Sequence, residues 1–310
     1  MNTQRTSSTK RGFTLMELMV AMAITTIIVT VLVSITSIAL DTWNRSRSEL
    51  RASRQAKSMI DAMARDFEAM VTRRGNTNEW LSAMTDNSET KGSSMESTNA
   101  SNLIFFTAAT DRYNGKIGDP IEDKGGDVSC VAYQLDYKDP IGSSDSKFGT
   151  YVLSRFLVDP KPTFDGLLGV ANLAKPLSGV FDGLYPKITV TDSKNFVCEN
   201  IYQFTLTFHV QVTDSTKNPP FSSVPVTLGD STKTFRILGT GITTDYSGAS
   251  AAVVPSGRIT AVEISATVIS DFGVDQTRPG RRTFANDDAK AKFLAQNSYQ
   301  YTKLVQIPSM

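Results

Sequence analysis

Residues suited to metal and redox chemistry are scarce in this chain of 310 residues. It has two cysteines, Cys130 and Cys198, and one histidine, His209. No second histidine exists to complete a common zinc site, and a lone histidine is usually structural or solvated, so we assign His209 no role. The sequence leaves open whether Cys130 and Cys198 form a disulfide, which an oxidising compartment permits if their Cα atoms approach closely enough.

Neither sign of charge is in excess. The chain has 32 Lys and Arg against 31 Asp and Glu, for a formal net charge of +1. Without the first twelve residues, which include Arg5, Lys10 and Arg11, the formal charge becomes −2. Neither value indicates the basic surface that binding to nucleic acid requires, so we expect no nucleic-acid partner.

Glycine and proline are missing from residues 13–74, although the whole chain has 20 glycines and 12 prolines. These two residue types are the strongest breakers of helices. Their absence predicts one continuous helix over residues 13–74.

Charge is also missing from residues 13–40, apart from Glu17. About 20 apolar residues suffice for a helix to cross a bilayer, so residues 13–40 are predicted to be transmembrane. A cleaved secretory signal is excluded, because its apolar core spans only about 7 to 15 residues. A plain signal anchor remains the alternative. A carboxylate within a membrane span is costly and normally has a partner, which indicates that Glu17 serves assembly.

The second half of this predicted helix carries an apolar stripe. Its members recur at spacings of three and four residues, which places them on one helix face: Ala56, Met59, Ile60, Met63, Phe67, Met70 and Val71. We expect this face to pack on the chain's own sheet, with a coiled-coil seam as the alternative. The arginines between Arg45 and Arg54 are interpreted as interfacial, and contact with anionic lipid is a further alternative.

The remainder of the chain has mainly β patterns. Residues 75–102, rich in Asn, Ser and Thr, are predicted to be a linker loop, and residues 103–310 a β-rich globular domain. Seven runs rich in β-branched and aromatic residues predict strands of a mainly antiparallel sheet: 103–107, 128–135, 151–158, 188–190, 201–212, 234–238 and 258–269. A short helix capped by Asn286 is predicted within residues 286–301.

A short motif opens the long helix. It consists of Gly12, Phe13, Thr14, Leu15, Met16, Glu17 and Leu18, and the apolar run follows it. In these residues the chain resembles the type IV pilin and type II secretion pseudopilin superfamily. The resemblance implies a pilin-like α+β fold, in which a long N-terminal transmembrane helix packs on a mainly antiparallel β-sheet domain.

The same resemblance implies roles for individual residues. A prepilin peptidase would remove residues 1–12 as a leader by cleaving between Gly12 and Phe13, and would methylate the new amine of Phe13. Glu17 would attract the N-terminal amine of a subunit during filament assembly. The implied partners are the prepilin peptidase, other pilin or pseudopilin subunits and the bacterial inner membrane, with residues 103–310 in the periplasm.

Two shorter elements resemble the J-type minor pseudopilin of type II secretion. They are Ala64-Arg65-Asp66-Phe67-Glu68 near the helix end and Ile259-Thr260-Ala261-Val262-Glu263-Ile264 in a late strand. The chain is longer than a typical J-type subunit, with inserted segments near residues 115–127 and 215–256. The expected function is that of a minor pseudopilin-like structural subunit of a type II secretion or type IV pilus-like filament. The alternatives are a surface-pilus tip subunit for adhesion or DNA uptake, and a membrane-anchored periplasmic interaction domain.

Few clusters could carry chemistry. One Gly-containing loop holds Asp111, Asn114, Asp119, Glu122, Asp123 and Asp127, and its oxygens could bind calcium, with Asp119, Asp123 and Asp127 as the candidates. A solvated acidic loop is the favoured interpretation. The basic turn from Arg278 to Arg282 is interpreted as an exposed loop. Because no nucleophile elbow or complete dinucleotide motif occurs, we expect no enzymatic activity and no cofactor.

Overall fold

The computed structural model describes residues 12, 14–85, 99–108, 128–140, 149–169, 175–213, 216–218, 220–229, 234–245, 257–278 and 280–307. The chain divides into two compact units, with the boundary between Arg47 and Ser48. The N-terminal unit holds the apolar part of one long helix. The larger unit holds the rest of that helix and all the strands.

The long helix, α1, spans Leu15–Glu68. It ends six residues before the predicted limit at residue 74, and the prediction was wrong there because the chain joins the sheet. Met70 forms a bridge with Thr107, and the Val71 amide donates to the Phe106 carbonyl at 2.9 Å. The Thr107 hydroxyl donates to the Asp66 carbonyl at 3.1 Å, which satisfies one of the carbonyls left unpaired at a helix end.

Eleven strands and several short helices follow in the described residues. The strands are β1 Glu79–Thr85, β2 Ala100–Thr107, β3 Ser129–Lys138, β4 Thr150–Val158, β5 Phe196–Glu199, β6 Ile201–Thr213, β7 Phe221–Leu228, β8 Thr234–Leu238, β9 Gly241–Thr244, β10 Arg258–Ile269 and β11 Ser298–Gln306. The helices are α2 Pro160–Pro162, α3 Leu177–Leu184, α4 Lys187–Val190, α5 Asp271–Thr277 and α6 Asp287–Gln296, with a π-helical turn at Thr163–Leu167 and a 3₁₀ turn at Ser193–Asn195.

The strands form two sheets. The larger has the order β5-β4-β3-β2-β1-β8-β9 and the smaller the order β11-β10-β6-β7. The pairings within both sheets are antiparallel, as predicted. With α1 they give an α+β fold.

The main core lies between α1 and the two sheets. Six members of the predicted apolar stripe face it and are buried: Ala56, Met59, Ile60, Met63, Phe67 and Met70. The seventh, Val71, is partly buried against a second core. The Phe67 ring stacks on Phe105 of the larger sheet at 4.7 Å and meets Phe208 of the smaller sheet edge-on at 6.4 Å. The stripe therefore packs on the chain's own sheets, which removes the coiled-coil alternative.

A second core covers the opposite face of the larger sheet. Trp80, Phe106 and Cys130 from the sheet pack there against Leu177 and Phe181 of α3. Strands buried on both faces lose the simple alternation of apolar and polar residues, and β2 shows this with seven of its eight residues buried. The larger sheet is thus the middle layer of the domain.

Two further predicted elements differ from the structure. The linker predicted at residues 75–102 contains all of β1, because Trp80 and Leu81 are buried and pair the strand into the sheet. The strand predicted at residues 188–190 is helix α4, which starts directly after Pro186. The short C-terminal helix, by contrast, is confirmed: it is capped by Asn286, ends at Gln296 within the predicted range, and is followed by β11, which pairs with β10.

Candidate functional site

The start of α1 is a capping box. The Thr14 hydroxyl accepts from the Glu17 amide at 3.2 Å, and Glu17 Oε2 accepts in return from the Thr14 amide and hydroxyl, each at 2.9 Å. A Thr at the N-cap and a Glu three residues later satisfy each other's backbone donors in this way. The sequence T-x-x-E therefore explains why the helix starts at Leu15, as well as where the Glu17 carboxylate lies.

This geometry fixes what Glu17 can do. Its carboxylate sits at the positive end of the helix dipole and accepts two hydrogen bonds on one oxygen. The side chain is exposed, so a cationic group can approach it. Gly12 is among the described residues, whereas Phe13, the predicted site of cleavage and methylation, lies outside them.

In the apolar part of α1, Ser and Thr hydroxyls form hydrogen bonds within the helix itself. Six hydroxyls each donate to the carbonyl four residues earlier at 2.8 to 2.9 Å; they belong to Thr25, Thr26, Thr30, Ser34, Thr36 and Thr42. Lipid offers no partner for an unpaired hydroxyl, so this pattern suits a hydrocarbon environment. Among the described residues, α1 is the one helix long and apolar enough to cross a membrane.

A buried ionic cluster joins the C-terminal turn of α1 to the larger sheet. Asp66 forms a bidentate pair with Arg155, with both N–O distances at 2.7 Å. The Tyr133 hydroxyl donates to Asp66 Oδ2 at 2.5 Å. Burial, followed by the negative charge of Asp66, raises the pKa of Tyr133 well above its usual value, so this hydroxyl remains a donor.

This cluster was not predicted from the sequence. Asp66 lies three residues after Met63 and next to Phe67, so it falls on the buried face of α1. A charged residue inside an apolar stripe is a signal for a buried partner. The identity of that partner depends on the fold, because Arg155 lies 89 residues away on β4.

Cys130 and Cys198 are free thiols in the structure, so the disulfide left open by the sequence is not formed. Cys130 on β3 and Cys198 on β5 are separated by β4, hence by two strand spacings of about 4.8 Å each. They also belong to the two different cores, on opposite faces of the sheet. A disulfide requires Cα atoms within about 7 Å and side chains that point toward each other.

We expect neither thiol to react with a maleimide in the native chain, and both to react after denaturation. Burial raises the pKa of Cys130, and it raises that of Cys198 to about 12, so very little thiolate forms near neutral pH. Intact-mass measurement without reductant counts the maleimides bound before and after denaturation, and it shows whether both thiols are free. A mass lower by two hydrogens would contradict it.

The calcium site stays a prediction. Asp111, Asn114, Asp119, Glu122, Asp123 and Asp127 lie outside the described residues, and no metal-ligating cluster occurs within the described ones. In the basic turn, Arg278 and Arg281 approach Asp275 at 3.4 and 3.8 Å. Arg282 lies over the rings of Phe284 and Phe293 at 5.4 and 4.7 Å. These arginines are engaged within the chain.

Comparison with known proteins bears on the N-terminal motif. Residues 7–33 match the family model described as the prokaryotic N-terminal methylation motif. No curated protein matches the chain significantly. Among solved structures, a type IV-like pilin from Thermus thermophilus is similar, with 11% sequence identity, coverage of 83% of this chain and 97% of that chain, and a TM-score of 0.30. A superposition with so low a TM-score does not support any conclusion about this chain. The resemblance to the type IV pilin and pseudopilin superfamily is confirmed through the N-terminal motif, while the J-type assignment stays a prediction.

Proposed function

We propose that this chain is a minor pseudopilin-like structural subunit of a secretion or pilus-like filament. The premise is its N-terminal segment, which is of the pilin or pseudopilin type. The observation that carries the proposal is the juxtaposition at the start of α1. A motif matched over residues 7–33 leads into a capping box that holds an exposed carboxylate, and then into an apolar helix.

The proposed pathway follows from these parts. The precursor would sit in the inner membrane through residues 13–40, with residues 1–12 on the cytoplasmic side and the β-rich part in the periplasm. A prepilin peptidase would cleave between Gly12 and Phe13 and methylate the Phe13 amine. The carboxylate of Glu17 would then exchange its Thr14 donors for the N-terminal amine of another subunit, since an ammonium–carboxylate bond carries charge on both partners and the bonds from Thr14 carry it on one.

We infer a structural role for the larger unit, with no enzymatic activity, no cofactor and no nucleic-acid partner. Three of its buried ionic groups, Asp66, Tyr133 and Arg155, hydrogen-bond one another in the core. The arginines of the basic turn contact Asp275 and two phenylalanine rings, so they are poorly placed to form a strong electrostatic footprint for DNA. The domain is therefore proposed to contact neighbouring subunits or cargo.

N-terminal sequencing and intact-mass measurement of the protein from membranes of its native host test this function. We expect an N-methylated Phe13 start that depends on the prepilin peptidase. Gly12→Val should block processing, because a branched side chain replaces hydrogen beside the scissile bond, whereas Glu17→Gln should leave cleavage intact. An unprocessed Met1 start in the presence of the peptidase would refute entry into this pathway and favour a plain membrane anchor.

A further inference from the structure

Within the larger unit, the size of the side chains that α1 buries against the sheets changes along the helix. From residue 59 onward most of the buried side chains are large, Ala64 being an exception, and Met59, Met63 and Phe67 are all 0% exposed. In the preceding turns the buried residues are small: Ser48, Ala52 and Ala56, at 9%, 4% and 0% exposure. A methyl group buries far less apolar surface than a methionine or phenylalanine side chain, so residues 48–57 gain little from hydrophobic packing.

An ionic clasp holds these same turns. Arg51 Nη2 lies 2.6 Å from Glu199 Oε1, and Arg51 Nη1 lies 3.2 Å from Asp271 Oδ2. Gln55 Nε2 donates to the same Glu199 oxygen at 3.3 Å. The Arg51 side chain is 58% exposed, so water and salt reach the clasp.

The acidic half of the clasp is fixed by the domain itself. Asn200, at the corner between β5 and β6, has a left-handed backbone with φ of 61°. Its side chain donates to Asp271 Oδ1 at 2.7 Å and accepts from the Thr150 hydroxyl at 2.9 Å. Glu199 precedes this corner directly. The Asp271 carboxylate is therefore held from within the domain, and the Glu199 backbone leads directly into the same corner.

We propose that residues 48–57 of α1 form a detachable strap, held on the domain chiefly by the Arg51 clasp, while residues 59–67 stay anchored. The small side chains let the strap leave without opening a large apolar cavity in the core. The Asp66–Arg155 pair and the Met and Phe side chains hold the rest of the helix. Ionic strength, or a cation that competes with Arg51 for Glu199 and Asp271, sets the balance between the docked and released strap. The inference rests on these contacts and does not depend on the proposed function.

Thiol accessibility in the full chain, held in detergent micelles, tests the strap. Ala52→Cys places a thiol under the strap, and Met63→Cys places one on the same helix face under the anchored part. Maleimide labelling of Ala52→Cys should accelerate about 5- to 10-fold when salt rises from about 50 mM to about 1 M, or when Arg51→Gln is added at low salt. Met63→Cys should stay protected under both conditions, as should the native Cys130 and Cys198, which report on global unfolding.

Two results would overturn the inference. One is an Ala52→Cys labelling rate that neither salt nor Arg51→Gln changes. The other is a parallel acceleration at Met63→Cys, Cys130 and Cys198, which would show that the whole domain opens. Ser48→Cys, a nearly isosteric change in the same strap, repeats the measurement if Ala52→Cys proves unstable.

Discussion

Replacing Glu17 with alanine is expected to reduce incorporation of the subunit into filaments by about 10- to 100-fold. Removing one charge-assisted hydrogen bond costs about 1.5–3 kcal/mol, and each 1.4 kcal/mol is a factor of ten. Glu17 is the one charged residue in residues 13–40, so no neighbouring carboxylate can replace it. Quantifying the subunit in sheared filaments against the total membrane pool gives the ratio.

Two further variants separate the capping role of Glu17 from its charge. Thr14→Val removes the hydroxyl that donates to Glu17 Oε2 but keeps the carboxylate. Glu17→Gln keeps a carbonyl oxygen that can accept from the Thr14 amide but removes the charge. If the charge drives assembly, Glu17→Gln resembles the alanine variant and Thr14→Val assembles. Normal assembly of Glu17→Ala would contradict the proposed role.

Replacing Asp66 with alanine is expected to destabilise the larger unit by about 3–5 kcal/mol, which is the usual cost of breaking a buried ion pair. The Arg155 guanidinium, at 15% side-chain exposure, would keep its charge without its partner, and the Tyr133 hydroxyl would lose its acceptor. For a domain of this size the loss corresponds to a fall in Tm of roughly 6–20 °C. Thermal unfolding followed by circular dichroism measures it.

Neighbouring variants control for the position on the helix. Arg65→Ala changes the adjacent but exposed residue, so its effect should stay within about 0.5 kcal/mol. The double variant Asp66→Leu with Arg155→Met removes both charges and should recover part of the loss, since the Tyr133 hydroxyl still lacks its acceptor. Equal Tm values for Asp66→Ala and Arg65→Ala would show that the pair does not stabilise the fold.

The part of the fold that the sequence predicted best is the part with a long, regular pattern. The buried face of α1 followed from the spacing between Ala56 and Met70, because about four helical turns average out local exceptions. The alternation in β10 likewise placed Val262, Ile264 and Ala266 in the core. Strand β1 was missed because its seven residues lie within polar segments, and its burial comes from pairing with β2 and β8.

Local patterns misled where tertiary contacts decide. Ile188, Thr189 and Val190 are β-branched, yet they lie in a short helix that follows Pro186. The motif from Gly12 to Leu18 predicted the candidate site, since its residues are contiguous and the capping box is a local structure. The Asp66 cluster could not be predicted in full, because its three members come from one helix and two strands that only the folded chain brings together.

The back-bonded hydroxyls of α1 have a consequence for how such helices would fit side by side in a filament. Each of the six hydroxyls is used by its own helix, so a shift of one helix along its neighbour breaks none of these bonds. The apolar contacts resist an axial shift only through the fit of the packed side chains, since lipid and side-chain carbons are chemically alike. The Glu17 carboxylate would then be the one charged group within residues 13–40 that ties a helix to a particular height on its neighbour.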